Sequence, residues 1–119
     1  MTSKISSVLE KYRPDLTSYE ELYKHFHTHP ELSNQEAETA SRIADHLRNL
    51  SQDLEVKVGI GGHGVVAILR NGSGKTVLLR ADIDALPVKE KTGLPYASQT
   101  TMKDPDGDVK PVMHGESDA

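Results

Sequence analysis

The chain contains no cysteine, so neither a disulfide framework nor a thiolate metal site is open to it. It has no tryptophan and one phenylalanine, Phe26, which leaves any core to Leu, Ile, Val and Ala. Hydrophobic residues make up 35% and charged residues 27% of its 119 positions, lean for a self-sufficient core but outside disordered composition. A chain of this length has room for one small domain at most, and small domains bury a modest share of their surface. No basic block is present and the net charge is -4, which argues against nucleic acid and anionic membrane surfaces as partners. No apolar run approaches a membrane span, and Met1 to Glu10 lacks the apolar stretch of a signal peptide. The expected location is therefore cytoplasmic.

Local signals predict helices first and strands afterwards. Ile5, Val8, Leu9 and Tyr12 recur at helical spacing, and Pro14 ends that run. Thr17 with Glu20 has the form of a capping box for a second helix, whose apolar face is Leu16, Tyr19, Leu22, Tyr23 and Phe26 and which Pro30 breaks. Ser33 with Glu36 forms a third start of the same kind, before a stripe of Ala37, Ala40, Ile43, Ala44, Leu47 and Leu50. Leu54, Val56 and Val58 then alternate with polar residues, as in a half-buried strand. After a joint of Gly59, Gly61, Gly62 and Gly64 come two short apolar runs, Val65 to Leu69 and Val77 to Leu79, separated by Asn71-Gly72-Ser73-Gly74. These two runs are expected to pair as a hairpin, or to neighbour each other in a sheet buried on both faces. From Lys89 onward the chain is expected to be mostly loop, with a turn at Asp104-Pro105-Asp106-Gly107. This order predicts an α/β fold with helical cover on an incomplete sheet.

Several groups could carry chemistry. Asp82 and Asp84 sit two apart where an apolar strand ends, and on an extended backbone they share a side. Such a pair suits a cation or the orientation of a metal-ligating histidine; it equally suits a polar strand end opening a turn before Pro87. His27, His29 and Glu31 lie close enough in sequence to suggest a metal site, but histidines before Pro30 are also what a helix C-terminus favours. His46, on a helix face, and His63, in the glycine joint, are expected at the surface. The joint lacks the Lys-Ser/Thr of a phosphate-binding loop and opens no helix. Near the end, His114, Glu116 and Asp118 alternate, which is compatible with a shared face or with a frayed terminus.

Three stretches together resemble the M20 metallopeptidase family: HTHPELSNQEAETA (His27 to Ala40), GIGGHGVVAILRNGSGKTVLLRADIDALPVKEKTGLPYAS (Gly59 to Ser98) and PVMHG (Pro111 to Gly115). They are most similar to its amidohydrolase branch, which cleaves N-acyl amino acids and indole-acetyl amino acid conjugates, and MKDPDGDVKPVMHG looks like fungal members. The resemblance implies that residues 1–115 are the N-terminal part of an M20-type catalytic domain, with 116–119 a non-matching tail and the dimerisation domain absent. It implies a divalent metal, zinc or manganese, and an N-acyl amino acid or small peptide as substrate of the full-length enzyme. Asp82, Asp84 and Pro87 fall on the family motif His-x-Asp-x-x-Pro, in which the His binds metal and the Asp orients that ligand. Asp84 thus matches a catalytic-site aspartate, and Asp82 stands at the metal-ligand position.

The next family motif, His-Ala/Gly-Cys-Gly-His-Asp, departs from the pattern. His114 and Gly115 match its start, then Glu116, Ser117 and Asp118 replace Cys, Gly and His. A hydrolytic zinc needs about three protein ligands and an open position for water. The expectation is therefore a fragment that binds no metal tightly and is inactive alone. The alternative is a non-catalytic binding or regulatory fragment that associates with a full-length relative through exposed sheet edges. Codons for Gly115 to Ser117 can contain GTGAGT, a strong splice-donor sequence, so the last four residues are expected to be translated intron.

Overall fold

The computed structural model describes residues 2–115. Three helices come first: α1 (Thr2–Tyr12), α2 (Thr17–Thr28) and α3 (Ala37–Leu50). Four strands follow: β1 (Leu54–Ile60), β2 (Gly64–Leu69), β3 (Thr101–Lys103) and β4 (Val109–Pro111). They form two separate antiparallel hairpins, β1–β2 and β3–β4. The fold is α/β, as the sequence predicts, with few strands.

The first helix ends at Tyr12, before Pro14, and the second at Thr28, before Pro30. Their starts differ from expectation. Thr17 lies inside α2, and Asp15 does the capping by accepting from the Thr17 backbone N–H at 3.0 Å and its hydroxyl at 2.8 Å. For α3, Ser33 makes no capping bond; the residue before the helix is Glu36, and its carboxylate turns back to the Asn34 N–H. The orphan donors of α3 go instead to Glu31, whose carboxylate accepts from Thr39 N at 2.5 Å, Thr39 Oγ1 at 2.6 Å and Glu38 N at 3.3 Å.

Along α3, Ala40 and Ala44 are buried and the helix packs on the β1–β2 hairpin. That hairpin pairs Leu54 with Leu69 and Val56 with Ala67, and a bulge between Lys57 and Ile60 turns the chain at the glycine joint. The joint needs its glycines for geometry, most plainly at two positions. Gly62 has a φ of 119°, and a Cβ on Gly64 would sit 2.4 Å from the Ile60 carbonyl oxygen.

The strand pairing corrects two expectations. Val65 to Leu69 pairs with β1, across the glycines, and not with Val77 to Leu79. The latter run forms no strand, and its side chains are 87%, 86% and 94% exposed. The region from Lys89 onward is less irregular than predicted. Asp104 Oδ1 accepts from Asp106 N and Asp108 N at 3.0 and 2.9 Å, and Gly107 takes a φ of 88°. That turn joins β3 to β4, with Thr101 opposite Pro111.

The buried apolar cluster is small: Leu32, Ala85 and Val112, with Met102 packed against it. Backbone bonds lash its pieces together, from Ala85 N to Glu31 O at 2.7 Å and reciprocally between Leu86 and Met113 at 2.8 and 3.0 Å. The radius of gyration is 17.4 Å, against roughly 13.5 Å for a compact domain of this length, so much of the chain stands away from a common centre.

Candidate functional site

The Asp82–Pro87 segment reaches its place through Ala85, which bridges in parallel to Leu32 just beyond the end of α2. Leu86 then bridges antiparallel to Met113, bringing His114 to the same place. Asp82, Ile83 and His114 line a mainly apolar cavity of about 190 Å³ with Tyr23, Phe26, His27, Thr39 and Ile43. On its other side Asp82 joins Asp84 along a more open groove walled by Glu36, Asn34 and His63. The structure thus gathers Asp82, His27 and His114 around one cavity, while Asp84 faces the neighbouring groove. Glu116 and Asp118 lie outside the described residues.

The electrostatics around Asp82 are local. Its Oδ1 is 2.6 Å from Arg80 Nη2, on an exposed face. Among the described residues, no three His, Cys, Asp or Glu side chains converge closely enough to hold a metal ion. With about three ligands required for a hydrolytic zinc, the donor set of residues 2–115 does not fit one.

The histidines before Pro30 divide in function. His29 closes the C-terminus of α2, its Nδ1 against the His25 carbonyl at 2.8 Å and its ring stacked on His25 at 4.2 Å. This is the helix-end arrangement. Burial, then the nearby Arg42 and His29 charges, push the His25 imidazole below its ordinary pKa. His27 instead points inward and is 1% exposed. Its Nε2 donates to Glu90 Oε1 at 2.7 Å, with Tyr96 edge-on at 5.4 Å and Tyr23 stacked at 6.0 Å.

Glu90 is the residue that sequence reasoning missed. Burial pushes its carboxyl up, but the Ser98 N–H at 2.8 Å, the Thr92 hydroxyl and His27 together outweigh that and hold it below the usual carboxylate range. Flanked by Lys89 and Lys91, it has the local look of a solvated charge, and nothing near it in sequence marks it as the partner of His27. His46 and His63, expected at the surface, are both half-buried. His46 sits edge-on to Tyr19 at 6.1 Å.

No family profile matches the chain. Individual relatives do. The chain is 38% identical over 111 residues to thermostable carboxypeptidase 1 of Saccharolobus solfataricus, a match covering 90% of this chain and 26% of that protein. It is 43% identical over 82 residues to the hippurate hydrolase of Campylobacter jejuni, covering 68% of this chain and 21% of that one. Among solved structures it is similar to the Bacillus subtilis YXEP protein, a dinuclear metal-binding peptidase of the M20 family. That likeness has a TM-score of 0.60 and 38% identity, over 76% of this chain and 23% of the other. The chain spans about a fifth to a quarter of the length of the curated relatives it matches. Sequence identity and shared fold together relate this chain to the peptidases and amidohydrolases of the M20 family.

Proposed function

We propose that residues 1–115 are the N-terminal part of an M20-type catalytic domain, from a cytoplasmic, metal-dependent amidohydrolase that cleaves the amide bonds of N-acyl amino acids or small peptides. In that enzyme Asp84 is the aspartate that orients a metal ligand, and Asp82 stands at a ligand position. The metal, zinc or manganese, would polarise the amide carbonyl and activate water once the remaining ligands were supplied. The 119 residues alone turn over no substrate. The observation that carries this reading is the convergence of Asp82 and His114, from the two motif segments, on one mainly apolar cavity.

Two measurements test it. The purified chain, supplied with zinc or manganese, should hydrolyse no N-acyl amino acid above background; chelator-sensitive turnover would overturn its inactivity. A chimera carrying this chain's matched stretch in the related hippurate hydrolase should hydrolyse hippurate, and Asp84→Asn in the chimera should cost about 10–100-fold in activity. An inactive but folded chimera, or one indifferent to Asp84→Asn, would remove the assignment.

A second reading is favoured by the exposed Val77–Leu79 run: a non-catalytic fragment that binds a full-length relative. Co-purification with such a relative, without hydrolysis, separates the two.

A further inference from the structure

The segment between β2 and the Ala85 bridge has no secondary-structure partner. Among the described residues, no strand pairing or turn bond involves the backbone of Asn71 to Asp84. Within it Val77, Leu78 and Leu79 are 86% exposed or more, the most open of the exposed large hydrophobics, whereas Ile83 is half-buried beside Tyr23 and Phe26. Unpaired N–H and C=O groups beside bare aliphatic side chains form a template for strand addition.

The residue pattern says what fits it. Val77, Leu79, Ala81 and Ile83 alternate with Leu78, Arg80, Asp82 and Asp84. On an extended backbone the first set makes a wholly apolar face and the second carries the charges. The opposite charges of Arg80 and Asp82 flank Ala81 symmetrically, and within one chain they already lie 2.6 Å apart on an exposed face. If a second copy pairs antiparallel about a two-fold axis at Ala81, Arg80 of each copy stands opposite Asp82 of the other. The same register puts Leu79 opposite Ile83 and makes one continuous apolar face from both copies. No other two-fold register of this segment pairs Arg80 with Asp82 twice.

We propose that Leu79 to Ile83 is a self-association edge, on which a second copy of this chain adds as an antiparallel strand centred on Ala81. The inference is independent of the hydrolase reading. One strand pair is a small interface, so association is weak and concentration-dependent.

Sedimentation of the full chain across a wide concentration range is the test. A dimer should accumulate with concentration. Arg80→Asp turns two attractive cross-strand pairs into repulsive ones and should weaken it by about tenfold. The double exchange Arg80→Asp with Asp82→Arg should restore it. Because the chain has no cysteine, Ala81→Cys offers a readout of register without loss of charge. Mild oxidation should link two copies through Cys placed at the axis, whereas Leu78→Cys, well off the axis, should give no such link. A chain that stays monomeric overturns the proposal, including one that instead binds a longer M20 relative. So does a dimer indifferent to Arg80→Asp, a double exchange no better than the single, or equal cross-linking at both cysteine positions.

Discussion

Two apolar regions of this chain have opposite fates. Leu32, Ala85 and Val112, from three distant segments, close into a buried cluster, whereas Val77 to Leu79, more hydrophobic as a run, lies bare. The difference is in backbone accounting. Around Leu32 the N–H and C=O groups of Glu31, Ala85, Leu86 and Met113 find each other, so apolar contact carries no unpaired polar group with it. Around Val77, among the described residues, no neighbouring strand supplies those partners. A strand meant for the interior of a sheet is stable only with a strand on each side. Hydrophobicity therefore does not by itself decide what is buried; the availability of a hydrogen-bonding neighbour does.

The largest way to disturb the buried region is at His27 and Glu90, whose side chains are 1% and 0% exposed. Glu90→Ala removes the acceptor of His27 and of the Ser98 N–H together and should cost about 3–5 kcal/mol in urea unfolding, a large part of the stability of any small domain. Glu90→Gln keeps the shape and one acceptor, and should cost less. The same pair sets an acid limit. The folded Glu90 carboxyl lies below its ordinary 4.5, so the unfolded chain takes up its proton at higher pH than the folded one. Its stabilisation is complete above that ordinary value and is lost as pH falls through the lower folded one. In a pH series Glu90→Gln should flatten this acid slope; an unchanged slope would show that other carboxylates set it.

A pair of identical substitutions compares the regions directly. Val112 is 1% exposed and Val77 is 87% exposed. Val112→Ala should cost about 2 kcal/mol, from lost burial and the cavity left behind. Val77→Ala should stay within about 0.5 kcal/mol when measured at low concentration. Equal costs would mean that Val77 is covered in solution.

What could be read from the sequence followed the range of the forces involved. The helix ends before Pro14 and Pro30, the alternation of Leu54 and Val56 in β1 and the turn at Asp104 are set within a few residues, and the structure keeps them; Val58, in the bulge, breaks the alternation and is exposed. The pairing of β2 is not set locally, because strand choice depends on a neighbour, and a glycine joint can close one hairpin as well as Asn71-Gly72 can close another. Asp82 and Asp84 were legible as a pair by their spacing, and they share one groove, but that Asp82 also reaches the cavity of His27 and His114 depends on the Leu32–Ala85 bridge. Glu90 was illegible because its partner is 63 residues away.

The smallest expected effect concerns the joint between helix and cluster. Both Ser33 and Glu31 precede α3, and by local rules Ser33 is the better cap. In the structure Ser33 makes no capping bond, while Glu31 serves α3 with its carboxylate and Ala85 with its carbonyl. A side chain six residues ahead of the helix can do this only because the chain doubles back at Asn34, whose φ is 65°. Glu31→Ala should therefore cost about 1 kcal/mol through the lost cap, since its backbone carbonyl still holds Ala85, and Ser33→Ala should fall within about 0.5 kcal/mol. The reverse order in denaturant melts would mean that the local capping box forms in solution. In that case the tie between α3 and the Asp82–Pro87 segment would rest on the Ala85 backbone bond alone.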